Sequence, residues 1–278
     1  MELIATLTDG ITLQIVIALL IAGGCIGVLA GIFGVGGGAI SVPVFFETFR
    51  AMGVTDDVAM PLAVGTSLAM IIPTSILSAR THARKGTVDM GIVKAWILPV
   101  LLGVALGSVI ARYASPVIFQ AVFVLVAGTN AVKLLFGTAG WKLGDTMPGR
   151  AGTSAYGAVV GLLSALMGIG GGAISNLILT LNGKDVREAV STSAAVGVII
   201  AIPGTVGYIL AGWGQAGLPP DAVGFVSVLA LVLTLPTALL TTRAGVALAH
   251  VMPQKLLGRL FGIFLLLVSL RFLAEIFL

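Results

Sequence analysis

Charge is what this sequence has least of. Of its 278 residues 9% are charged and 58% are hydrophobic, whereas a soluble domain carries about 25% charged residues. A soluble fold is excluded. At about 20 residues per crossing, the apolar residues suffice for roughly eight spans, so the composition describes an all-α polytopic membrane protein with little outside the bilayer. Cys25 is the only cysteine, which rules out an internal disulfide or a CxxC metal site. The two histidines, His82 and His250, read as interfacial loop residues.

Other scarcities narrow function. Every carboxylate, from Glu2, Asp9, Glu47, Asp56, Asp57 and Asp89 to Asp145, Asp185, Glu188, Asp221 and Glu275, falls near an end of an apolar stretch or in a loop. A carboxylate proton relay through the membrane is therefore not visible. No GxxxxGK[ST] run is present, and no nucleophile, base and orienter set suggests an enzyme. No cofactor or metal is expected. The net charge of +4 comes from scattered Lys and Arg, without the basic stripe that nucleic acid requires. No basic n-region precedes the first apolar run, so a cleaved signal peptide is not expected.

Glycine is abundant, 38 residues, and it is organised. Gly34-Val-Gly-Gly-Gly-Ala-Ile-Ser41 recurs as Gly168-Ile-Gly-Gly-Gly-Ala-Ile-Ser175. Gly65-Thr66-Ser67 is answered by Ser191-Thr192-Ser193, Gly107 to Arg112 by Gly245 to His250, and Lys133 by Arg271. The chain thus divides into a first repeat, residues 1–137, a cytoplasmic connector, 138–152, and a second repeat, 153–278. Apolar stretches at Ile11 to Phe33, Ala39 to Phe49, Val58 to Ser78, Ile92 to Arg112 and Pro116 to Phe136 have counterparts at Ala155 to Met167, Ala173 to Leu181, Ala189 to Trp213, Val223 to Thr242 and Leu256 to Leu278. Two stretches per half are short for a crossing.

Repeats in transporters are parallel or inverted, and the Lys/Arg distribution discriminates. If each glycine octapeptide is the tip of a re-entrant hairpin, the loops around Arg80, Lys142, Lys184 and Arg243 to Arg259 share the cytoplasmic face. Only Arg50, Arg112 and Arg271 then lie outside, where Glu47, Asp56 and Asp57 make the balance negative. The expectation is two inverted repeats of about eight to ten segments in all, with the N-terminus outside.

Irregular backbone in a bilayer survives only where it is buried in protein or lines a cavity, so the glycine tips mark a site. Each opens a helix whose free N–H groups and positive dipole end suit an anion, and tips entering from opposite faces meet near the midplane. The candidate substrate-binding residues are Gly34, Gly36, Gly37, Gly38, Ala39, Ser41, Thr66 and Ser67 in the first half. In the second they are Gly168, Gly170, Gly171, Gly172, Ala173, Ser175, Thr192 and Ser193. Gly23, Gly27, Gly31, Gly103 and Gly107 read instead as helix-packing positions. Asn130 reads equally as a side chain bonded to its own helix backbone, a substrate contact or interhelical glue, and Lys133 and Arg271 read as snorkelling side chains.

The duplicated Gly-x-Gly-Gly-Gly-x-Ile motif, the paired Gly-Thr-Ser and Ser-Thr-Ser elements and the chain length resemble the TauE/SafE sulfite exporter family, also called the 4-toluene sulfonate uptake permease family. The resemblance implies a multi-pass transporter of the bacterial inner membrane for sulfite, sulfoacetate or related organosulfonates. It also points to Gly34, Gly36, Gly37, Gly38 and Pro43, and to Gly168, Gly170, Gly171 and Gly172. Efflux is favoured, because an anion leaves a negative-inside cell downhill by about 2.3 kcal/mol per charge per 100 mV. The alternatives are an anion channel, an uptake permease for another small organic anion, and a membrane assembly subunit that transports nothing. The expected partners are the small anion and the lipid bilayer, with no nucleic acid.

Overall fold

A computed structural model of the chain describes residues 13–33, 38–84, 86–137 and 142–277. Ten helices run through them: α1 Leu13–Phe33, α2 Gly38–Ala51, α3 Asp56–Arg84, α4 Met90–Tyr113, α5 Pro116–Phe136, α6 Arg150–Met167, α7 Gly172–Leu181, α8 Val186–Ala211, α9 Val228–Val251 and α10 Gln254–Phe277. Each apolar stretch of the sequence is one helix, so α1 to α5 and α6 to α10 are the two repeats. Seven helices are long and apolar enough to cross a membrane. Those that are not, α2, α6 and α7, belong to the two hairpins around the glycine octapeptides.

Equivalent helices run antiparallel, and this makes the repeats inverted. Along α3 and α8, Leu68 lies at Gly204, Ser75 at Gly197 and His82 at Ser191. Along α5 and α10, Phe123 meets Phe272 with ring centroids 5.1 Å apart, Gln120 donates to Glu275, and Leu134 lies against Gly262. The remaining large contacts respect the same two-fold: α1 packs along α9 just as α6 packs along α4. Glycines allow both approaches. A Cβ on Gly23 or Gly27 would strike Thr234 or Ala238 of α9, and one on Gly103 or Gly161 would strike Ala158 of α6 or Val100 of α4. These positions are the close-packing ones that GxxxG spacing signals.

The directions sort the charges. Glu47, Asp56, Asp57, Asp221 and Glu275 lie at one end with Arg50, Arg112 and Arg271, the acidic end. Arg80, Arg84, Lys94, Lys142, Arg150, Lys184, Arg243 and Arg259 lie at the other with Asp89, Asp145, Asp185 and Glu188, the basic end. Reporter fusions after Asp57 and after Asp185 should therefore report opposite faces of the membrane; the same face for both contradicts the inverted arrangement.

The acidic end is closed by aromatics. Phe45, Phe46 and Phe49 of α2 are fully buried beside Phe123 and Phe272, with Arg50 over the Phe46 ring at 5.3 Å. Arg50 also binds Asp56 and Glu275, both at 2.9 Å, and Arg271 binds Glu47 at 2.6 Å. At the matching positions of the second hairpin, Leu179 and Thr180 stand for Phe45 and Phe46. There, Lys133 donates to the Thr180 hydroxyl at 3.1 Å. Among the described residues, the second hairpin thus carries no counterpart of this aromatic cluster at those positions.

Candidate functional site

The two tips meet halfway along α3. A Cβ on Gly38 would lie 2.7 Å from Ile71 Cδ1, 2.8 Å from Ile169 Cα and 2.9 Å from the Gly168 carbonyl oxygen. The start of α2 therefore abuts the second octapeptide directly. Gly34, Gly36 and Gly37 lie outside the described residues. Ala39 and Ser41 are buried, and the Ser41 hydroxyl is 2.6 Å from that of Ser67, which donates to the Gly168 carbonyl at 2.8 Å. These first-half groups satisfy one another and fasten the two tips together. Pro43 is buried inside α2.

The second tip is different. Gly168 (φ 64°) and Gly171 (φ 73°) adopt the left-handed conformation that glycine supplies without steric cost, turning the chain from α6 into α7. No side chain caps α7. The amide of Ser175 bonds back to the Gly171 carbonyl at 2.8 Å, which leaves Gly172, Ala173 and Ile174 as the amides of an uncapped first turn. Around this turn, Ser164 Oγ, Ser175 Oγ, Asn176 Oδ1 and Ser193 Oγ are buried without a hydrogen-bond partner. Two of them face the same point, because a Cβ on Gly171 would be 3.5 Å from Ser175 Oγ and 3.6 Å from Ser164 Oγ. Orphaned buried hydroxyls each forfeit about 1–3 kcal/mol. Such a cluster has room in its hydrogen bonding for water or a polar ligand.

A cavity of about 270 Å³ reaches Asn176 and Ser193 of this cluster, just below ligand-site volumes of about 300–1,000 Å³. Gly170, Gly172, Ala173 and Asn176 form its floor, and it runs toward the basic end between α3 and α8. Its α3 wall is Ile71, Thr74, Ser75, Ser78 and His82; Val190, Ser193, Ala194 and Gly197 form the α8 wall. Both sets recur at three- and four-residue spacing, which places each on one helix face. The described lining residues carry hydroxyls, amides and one imidazole but no carboxylate, so their polarity favours an anion. Among the described residues no cluster of His, Cys, Asp and Glu is placed to hold a metal ion.

Thr66 and Thr192 have another use. The Thr66 hydroxyl accepts from the amide of Ser227, the N-cap of α9, at 3.0 Å; the Thr192 hydroxyl accepts from the amide of Asp89, the N-cap of α4, at 2.9 Å. Each threonine anchors the fourth helix of the opposite repeat. Thr66→Ala and Thr192→Ala should each lower stability by about 1–2 kcal/mol while leaving apparent substrate affinity within twofold, measured by thermal unfolding and flux kinetics. Asn130 bonds back to the Val126 carbonyl of its own helix at 2.9 Å and makes no interhelical bond in doing so.

Ser164, Thr74, Ser75, Ser78 and His82 were not among the residues the sequence singled out for the site. The signal for the last four was the polar stripe at helical spacing beyond Pro73, where α3 continues to Arg84 rather than ending at Ser78. Ser164 lies one turn before the Gly168 bend, within an ordinary apolar run.

A charged cluster borders the mouth. Lys184 binds Asp89 at 2.7 Å and Glu188 at 3.0 Å. Burial pushes the Asp89 carboxyl up, but the Lys184 hydrogen bond and the amides of Ile92 and Gly91 outweigh it and hold it below the usual carboxylate range. The Asp89 hydrogen bond holds Lys184 above the usual lysine range. Asp89 therefore contributes stability that is lost only as pH falls through its lowered value, and Lys184 stability lost only as pH rises through its raised one. The pair stays intact across the neutral range, and flux should show no pH dependence from it between about pH 5 and 9.

The model of the sulfite exporter TauE/SafE family matches residues 19–272. The chain belongs to that family. It is 27% identical over 252 residues to a probable membrane transporter protein of Haemophilus influenzae, covering 91% of this chain and 96% of the relative. It is also 27% identical to a probable membrane transporter protein of Methanocaldococcus jannaschii, covering 90% and 94%, and 27% identical to the probable membrane transporter protein YunE of Bacillus subtilis, covering 93% and 97%. No solved structure matches the chain. The protein is accordingly a multi-pass membrane transporter of the TauE/SafE family.

Proposed function

We propose that this transporter moves small sulfur-containing anions, sulfite, sulfoacetate or related organosulfonates, out of a bacterial cell across the inner membrane, by alternating access around the second glycine tip. The observation that carries this reading is the uncapped start of α7 at the floor of a cavity lined by Gly172, Ala173 and the unpartnered Ser193 hydroxyl, with the unpartnered Ser164 and Ser175 hydroxyls buried beside that turn. Sulfite and sulfonates present three oxygens. Backbone amides and hydroxyls can donate to all of them, and the helix dipole, equivalent to about half a positive charge at the N-terminus, stabilises the anion without a buried cation. Reading the basic end as cytoplasmic follows the positive-inside tendency, and it makes the cavity an inward-open one. Release to the outside then runs down the membrane potential.

Alternating access is supported by an asymmetry between the repeats. At the acidic end α4 stays against α8, where Val104 touches Gly204, a Cβ on Gly207 would strike Ser108, and Arg112 donates to the Ala211 carbonyl at 2.9 Å. The symmetry-related pair, α9 and α3, touches far less. One end is shut and the other is open, and exchanging the two arrangements gives the outward-open state.

Proteoliposomes containing the protein test the function with labelled sulfite, sulfoacetate and taurine. Saturable flux of at least one is expected; flux of none overturns the reading, and flux that never saturates favours a channel. Within such an assay, Ser175→Ala and Ser193→Ala should each weaken apparent affinity about tenfold or more without loss of thermal stability. Each removes a charge-assisted bond worth about 1.5–3 kcal/mol from the complex, but an orphaned hydroxyl from the empty protein. Ser67→Ala, whose hydroxyl is satisfied, should do the reverse.

A further inference from the structure

We propose that His82 sets the affinity of the anion path: as an imidazolium at the mouth on the basic side it gathers the anion, so that affinity rises as pH falls through the histidine range. This rests on the reading of the second tip as an anion site. Among the described lining residues of the cavity, His82 alone carries an ionisable side chain. It is the outer member of the stripe Ile71, Thr74, Ser75, Ser78 and His82, eleven residues from Ile71 and so about 16 Å along the helix from the floor. At that distance it does not ligate the bound anion. It stands where the anion enters, and the hydroxyls between offer neutral stepping points.

The hydrogen bonds around His82 tolerate either protonation state. Its Nδ1 lies 3.0 Å from Ser191 Oγ, which is 2.7 Å from Thr87 Oγ1. Hydroxyls can donate or accept, so the Ser191 hydroxyl can donate to a neutral Nδ1 or accept from a protonated one. Among the described residues, the charged groups at this end of α3 and α8 are Arg80, Arg84 and Asp185, and the cluster of Asp89, Lys184 and Glu188. The last three are bound to one another in the cluster described above. Neither Asp89 nor Glu188 is hydrogen-bonded to the imidazole: Asp89 is held by Lys184 and the amides of Gly91 and Ile92, and Glu188 by Lys184. A positive charge in a narrow mouth raises the local anion concentration, by about tenfold at the modest end of such effects.

The test uses a labelled alkanesulfonate, whose charge is constant across the range, in proteoliposomes with equal pH on both sides at 5.5 and 8. For the wild type, the KM at pH 5.5 should be about a tenth of that at pH 8, with Vmax changed far less. In His82→Gln the KM should stay at the high value at both pH values. In His82→Arg it should stay at the low value at both. A wild-type pH dependence of KM that survives in His82→Gln overturns the role of His82 while leaving the anion site intact. Absence of saturable sulfonate flux from the wild type at either pH overturns the anion reading itself.

Discussion

Gly172→Leu should abolish transport while leaving the protein folded. A Cβ at this position meets nothing within 4 Å, because it points into the cavity rather than into a neighbouring helix. The residue opens α7 with ordinary helical geometry, and replacing glycine there gains up to about 1 kcal/mol of helix propensity. The melting temperature should therefore stay level or rise. The leucine side chain would occupy the space in front of the first-turn amides and displace the anion from them. Losing two charge-assisted hydrogen bonds, at about 1.5–3 kcal/mol each, corresponds to roughly a hundredfold or more in apparent affinity. Gly171→Leu is a poorer probe, since Gly171 has φ 73° and its Cβ would lie 2.3 Å from Ile200 Cδ1; that variant should fail to fold. Normal flux in a well-folded Gly172→Leu protein would remove the second tip from the transport path.

The second large effect comes from locking the exchange between the two repeats. Val104 corresponds to Thr242 and Gly204 to Ser78, through the matches of Gly107 with Gly245 and of Ser67 with Ser193. Val104 and Gly204 are neighbours at the closed acidic end, 3.7 Å from Val104 Cγ1 to the Cβ position of Gly204. In the opposite state Ser78 and Thr242 should become the neighbours. In a Cys25→Ser background, oxidation of Val104→Cys, Gly204→Cys should hold the protein open to the basic end. Oxidation of Ser78→Cys, Thr242→Cys should hold it open to the acidic end. Each bridge should stop flux almost completely, and reduction should restore it. A 78/242 bridge that forms without slowing flux contradicts alternation between the two arrangements.

The architecture was legible in the sequence to an unusual depth for a reason of symmetry. Two copies of one octapeptide fixed the hairpins, and the lysines and arginines, read against those hairpins, fixed their opposite directions. The antiparallel course of α3 and α8 agrees. The identity of the packing glycines was equally accessible, as Gly23 and Gly27 against α9 show. What a repeat cannot reveal is which copy is exposed. Gly38 and Gly172 are equivalent in sequence, yet one is pressed against Ile169 and the other lines a cavity. Under alternating access, that difference belongs to one of two conformations. The threonines beside the tips misled for a related reason: a hydroxyl in an apolar stretch signals a bond but not its partner, and the amides of Ser227 and Asp89 come from the opposite repeat. His82 was hidden by hydropathy, which ends the third stretch at Ser78 although the helix carries its polar stripe a full turn further.

The central claim is that the start of α7, and not that of α2, holds the anion. Crystals of the protein grown with a bromine-labelled alkanesulfonate test it directly, since anomalous scattering marks the bromine and ordinary density the sulfonate. The sulfonate oxygens should lie within hydrogen-bond distance of the Gly172 and Ala173 amides and of the Ser175 or Ser193 hydroxyl. A sulfonate bound on the first-half side of the tips, or bound only outside the cavity in a protein that transports it, would contradict the account.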